Sequence, residues 1–163
     1  MKKNHLKKII LITLILLTIS CSNDDEEVSS IDQPTFNVNL LLKGWRYDVL
    51  KINGTFYNYE HNPNCNNDFF GFLNRPGQSY QFIETTFTND YCTNNSATLD
   101  WKIKKDTLYF YIGNQVVLTY KVIALTATNF TFSFENDIDQ NGTIDTVEVS
   151  ASPYDPYNMF GNN

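Results

Sequence analysis

The sequence predicts an all-β domain, an antiparallel up-and-down barrel of about eight strands, on three observations. Apolar and polar residues alternate with period two over one short stretch after another, the pattern of half-buried strands. Turn residues such as Asn53-Gly54 separate the stretches, and helix signals are weak. Meander order with short turns favours closure, because an open sheet leaves edges that pair with other chains.

The first element, residues 1–20, is not part of that barrel. Four lysines and an apolar run from Ile9 to Ile19 read as a secretory signal, since about eleven apolar residues fall short of the roughly 20 that span a bilayer. The residues "LTISC" resemble a bacterial lipobox, with Thr18 where leucine is usual, and this makes Cys21 the lipid-attachment residue. Two or more acyl chains there would hold a membrane firmly. The following "SNDDEE" resembles an acidic export signal, so the expected location is the outer membrane, facing outward. Residues 21–39 have little to bury and read as a flexible acidic tether.

Removal of residues 1–20 leaves eight lysines and arginines against eighteen acids, a formal charge of −10. That balance argues against nucleic acid as a partner, because counterion release needs a basic surface. The remaining cysteines, Cys65 and Cys92, form an even pair in an oxidising compartment and are expected to be joined.

Residues 40–152 form one domain. Residues 33 to 44 add a short helix or cap before "WRYDVLKI", the Asn53-Gly54 turn and "TFYNY". The stretches "SYQFIET", "TLDWKIK", "TLYFYI", "QVVLTYKVIAL", "NFTFSFE" and "DTVEVSA" bring the count to eight or nine. In "LDWKIK", Leu99, Trp101 and Ile103 face one way and Asp100, Lys102 and Lys104 the other. Residues 153–163 are rich in proline and asparagine and read as an extended tail.

The run "LLKGWRYDVLKING", the segment "CNNDFFGFLNRPGQSYQF", Cys92, "LDWKIKKDTLYF" and "YKVIALTATNFTFSF" together resemble the lipocalin-like domain of Gram-negative lipoproteins. The resemblance covers residues 40 to 150, with Gly44 and Trp45 adjacent where many lipocalins place a residue between them. It implies a small apolar ligand inside the barrel. The inward set argues for crowding: Trp45, Tyr47, Phe70, Phe72, Tyr80, Phe82, Trp101, Phe110, Phe130, Phe132 and Phe134, with aliphatic residues including Val116 and Leu118, are bulky. Eight strands enclose little more than their own side chains.

Two outward features complete the reading. Tyr109 and Tyr111 share one face of "TLYFYI" and offer a surface for a glycan or a protein. The stretch "NDIDQNGTIDTVE" carries Asp137, Asp139, Asn141, Thr143, Asp145 and Glu148 at positions 1, 3, 5, 7, 9 and 12 of a calcium loop, with Gly142 at the sharp turn. Strands flank it instead of helices, so a strand-to-strand calcium loop of structural role is expected. A plain Asn141-Gly142 hairpin is the alternative, and it sets Glu135 opposite Glu148. His61, in a turn-rich loop, reads as a surface histidine, and no nucleophile elbow or phosphate loop is present. The expected protein is a monomeric, non-enzymatic, membrane-anchored binding protein.

Overall fold

The computed structural model describes residues 33–74, 80–88 and 91–160. A 3-10 turn at Val38–Leu40 precedes nine strands: β1 (Gly44–Ile52), β2 (Thr55–Asn58), β3 (Phe69–Leu73), β4 (Gln81–Thr88), β5 (Thr93–Lys104), β6 (Thr107–Ile112), β7 (Gln115–Leu125), β8 (Phe130–Asn136) and β9 (Asp145–Pro153). All described pairings are antiparallel. Eight strands, β1 and β3 to β9, pair in chain order, and β1 against β9 closes the barrel. The expected fold class is the one observed.

One strand escapes the alternation rule. Every residue of β3, "FFGFL", is buried. Phe70 and Phe72 fill the barrel, while Phe69 and Leu73 pack outside it against Phe160. A strand covered on both faces has no polar side to mark it in the sequence.

The staves have unequal lengths. On one edge of β1, β3 pairs with Gly44, Trp45 and Arg46, and β2 takes over from Val49 to Ile52. Residues 59–68 run between them. On the far side, β6 pairs with β5 only from Asp100 to Lys104, so Thr93–Leu99 is hydrogen-bonded to β4 alone among the described strands. The β4–β5 hairpin therefore rises above the body of the barrel.

The opposite end is filled. Leu41, Trp45, Phe70, Phe72, Phe82, Leu108, Phe110 and Phe130 are all at most 1% exposed. Their rings meet at tilted and edge-on angles, as in Phe82 against Phe110 at 4.7 Å between centroids. The segment before β1 plugs this end: the Trp45 indole N–H donates to the Leu41 carbonyl at 3.1 Å. The domain thus begins before residue 40. Phe36 and Val38 pack on the core, and the Thr35 N–H donates to the Lys105 carbonyl at 3.2 Å.

The carboxy-terminal segment is folded back, not extended as its composition suggests. Asp155 accepts from the Met159 and Phe160 backbone N–H groups and turns the chain. Phe160 then lies on Gly44 and Gly71, which pair across β1 and β3. A Cβ on either glycine would collide with the phenyl ring. Two inward expectations also fail: Tyr80 precedes β4 and is 43% exposed, and Val116 is 42% exposed next to an irregularity in the β6–β7 register.

Candidate ligand cup and acidic hairpin loop

The wide end of the barrel differs from the plugged end in both polarity and exposure. Register places Glu84 opposite Ala97, on the face that carries Phe82 and Thr86 toward the interior. Leu50, Ile52, Leu118 and Phe134 reach the same core but are only partly buried, and Ala97 and Asn95 are exposed although they face inward. The result is a half-open cup with an aromatic floor and the Glu84 carboxylate in its wall.

Tyrosines surround that carboxylate. The Tyr47 hydroxyl donates to Glu84 Oε1. Burial pushes the Tyr47 hydroxyl well above the ordinary tyrosine range, and the Glu84 charge adds to the shift. Tyr120 is raised by the same two causes, burial first. Tyr59 stacks on Tyr47 at 4.9 Å, and burial followed by its hydrogen bond to Asp68 raises it as well.

Residues 59–68 form the remaining wall. The His61 Nε2–H donates to the Tyr47 carbonyl at 2.8 Å, and Nδ1 accepts from the Asp68 backbone N–H at 3.0 Å. Such a pairing requires the neutral Nε2–H tautomer. Asp68, 8% exposed, accepts from the Tyr59 hydroxyl at 2.8 Å and from the Phe87 backbone N–H at 2.6 Å. Its carboxylate replaces the ladder bond that a longer β3 would have given β4. His61 is thus a half-buried structural residue, not the solvated histidine expected. Cys65 and Cys92 are joined as expected and tie this loop to the β4–β5 hairpin.

The acidic hairpin loop lies at the same end. Residues 137–144 form it, between strands that pair up to Asn136 and Asp145, so the two-residue Asn141-Gly142 turn is not formed. Glu135 faces Thr146 and not Glu148, which removes the repulsion expected between them. Carboxylate oxygens of Asp137, Asp139 and Asp145 lie within 4.8 Å of one another. Asp137 accepts from the Asn141 and Gly142 N–H groups, and Asp139 from the Asn141 N–H and side-chain amide. Asp145 is buried and accepts from the Ile138 N–H and from Asn53 Nδ2 at 2.6 Å.

Of the other three expected ligands, Asn141 lies beside the group, its side-chain amide donating to Asp139, while Glu148 is turned away from it. The Asn141 amide oxygen accepts from the Thr143 N–H at 2.7 Å. Glu148 lies across the strand from the inward Val147 and Val149 and pairs with Lys51 at 3.4 Å. Strand geometry is the reason, since positions 9 and 12 of a helix-flanked loop converge whereas in β9 they point to opposite faces.

Tyr109 and Tyr111 are both half-buried on the outer face. Lys102 sits over the Tyr111 ring at 5.3 Å, and Tyr111 lines an outer cleft of about 440 Å³ with Tyr80, Asp100 and Asn114. A second cleft of about 480 Å³, between the cap and β5, is lined by Val38, Leu42, Tyr80 and Trp101. Cys21, the signal and the first part of the tether lie outside the described residues.

No protein-family model matches the sequence, and no curated protein does. Among solved structures, the chain is similar to the major allergen Per a 4 from cockroaches, at 12% identity and a TM-score of 0.53 over 73% of this chain and 69% of that one. It is also similar to a lipocalin-like protein from Bacteroides uniformis, at 13% identity and a TM-score of 0.48 over 71% of this chain and 99% of that one. At 12% identity the likeness to the cockroach allergen is one of fold. Glu84, Tyr59, Tyr120 and Asp68 were not singled out from sequence. Yet the alternation that sends Phe82 inward in "SYQFIET" sends Glu84 inward too.

Proposed function

We propose that the protein is a non-enzymatic binding protein, held to the outer membrane by a lipid on Cys21, that carries a small, largely apolar molecule in the cup of its barrel. The supporting observation is the contrast between the two ends. One is plugged by the residues before β1, while the other holds partly buried apolar side chains around the Tyr47–Glu84 pair. A barrel needed only as a scaffold gains nothing from a carboxylate inside it, because desolvating that group costs free energy.

Calcium, in this reading, is a brace. Asp137, Asp139 and Asp145 converge at the head of the β8–β9 hairpin, and backbone N–H groups supply only part of the opposing charge. Three carboxylates with carbonyls and waters suit a hard cation, and an extracellular site needs only modest affinity. A second reading, a calcium-dependent module for a glycan or a protein, draws on the position of the acidic loop at the rim of the cup.

Native mass spectrometry of the mature chain from its own envelope, with and without a chelator, tests both. An added apolar mass that survives chelation supports the carrier with calcium as brace. A bare chain that loses only calcium favours the second reading.

A further inference from the structure

We propose that the cup selects a ligand bearing a protonated amine or a quaternary ammonium on a small apolar body, with the cation seated against Glu84. The inference rests on the cup being a ligand site and adds the charge of what it takes. A carboxylate has about four lone-pair positions. Among the described residues, one side-chain donor, the Tyr47 hydroxyl, reaches Glu84, and no lysine, arginine or histidine pairs with it. The basic side chains that do pair lie outside the barrel, as Arg46 does with Asp48 and Lys51 with Glu148.

The neighbours of Glu84 are also the right ones for a cation. Tyr47 and Tyr59 stack beside it, and Tyr120, stacked on Phe132 at 4.3 Å, belongs to the same core. Aromatic faces attract ammonium groups, most strongly where water is excluded. Tyr120 feels the Glu84 charge, which places the two within electrostatic reach. An anionic ligand would meet Glu84 as a like charge with no base among the described residues paired to offset it, and a neutral one would leave the carboxylate under-satisfied. The acidic surface of the mature chain adds long-range attraction for cations.

Titration of the mature chain at pH 7 with 2-phenylethylammonium, 2-phenylethanol and 3-phenylpropanoate separates these cases. The expected result is that the ammonium binds at least ten-fold tighter than the alcohol and the carboxylate least. Glu84→Gln should remove that preference, and Glu135→Gln, at an exposed acid, should retain it. Comparable binding of all three probes, or an equal effect of the two variants, would overturn the cation assignment and leave the cup as a ligand site. No binding of any probe at millimolar concentration would overturn both. If Glu84→Gln fails to fold, the ranking on the unaltered chain decides.

Discussion

Tyr47 and Tyr120 are the side chains that most constrain the pH at which this fold survives. Both are buried, and both hydroxyls are raised above the ordinary value, so the folded chain favours their neutral forms. The unfolded chain ionises tyrosine near pH 10. Their contribution is therefore complete below about pH 10 and declines as pH rises toward the folded-state values. Each should lose roughly 1.4 kcal/mol per pH unit in that window. Urea unfolding from pH 9 to 12 should show this slope, with Tyr120→Phe removing part of it and Tyr47 and Tyr59 accounting for the rest; a flat profile would contradict their burial. The companion of these tyrosines was within reach of the sequence, since period-two alternation through Phe82 places Glu84 inside. His61 and Asp68 were not, because their partners, the Tyr47 carbonyl, the Phe87 N–H and the Tyr59 hydroxyl, are brought to them by an irregular loop and by strands distant in sequence. The acidic loop shows the limit from the other direction. Ligand spacing picked out Asp137, Asp139 and Asp145, whose carboxylates the fold brings together, but a spacing rule built for helices also picked out Glu148, which the strand turns to the other face. Millimolar calcium should raise the melting temperature by a few degrees, and Asp139→Ala should abolish that rise, whereas Glu148→Gln should not.

β3 illustrates what an element owes to its coverings. Its outer face is buried only because Phe160 and the disulfide-linked loop lie on it. Phe160→Ala should cost about 2–4 kcal/mol in urea unfolding, toward the lower end of the range for buried phenylalanine because the site borders solvent. Gly71→Ala should cost about 1–3 kcal/mol by forcing the ring off its seat. If both substitutions are neutral, the carboxy-terminal segment does not hold this position in solution. Cys65 and Cys92 stand 27 residues apart. Replacing both with alanine should lower stability by about 3–4 kcal/mol in the chain-entropy account, read as a shift in urea midpoint. Strands with one wet face, such as β5 and β9, were legible because their polar sides survive in the sequence. β3 was not, as its second covering comes from the far end of the domain.

At the scale of the molecule, a tightly packed aromatic half supports a looser polar half, and the candidate chemistry lies in the latter. The sequence conveyed the first through its bulky inward residues and suggested the second only through a resemblance to ligand carriers. The glycine seat under Phe160 has a consequence for how the chain acquires its shape. Gly44 and Gly71 come together only when β1 meets β3, and β9 delivers the carboxy-terminal segment to that seat as it zips onto β1. Strands separated by roughly a hundred residues must therefore find each other before the seat is occupied, a non-local event that slows folding relative to hairpin formation. Docking of Phe160 is thus a clock for ring closure: hairpins zip early, and the final latch engages only once the two ends of the meander have met.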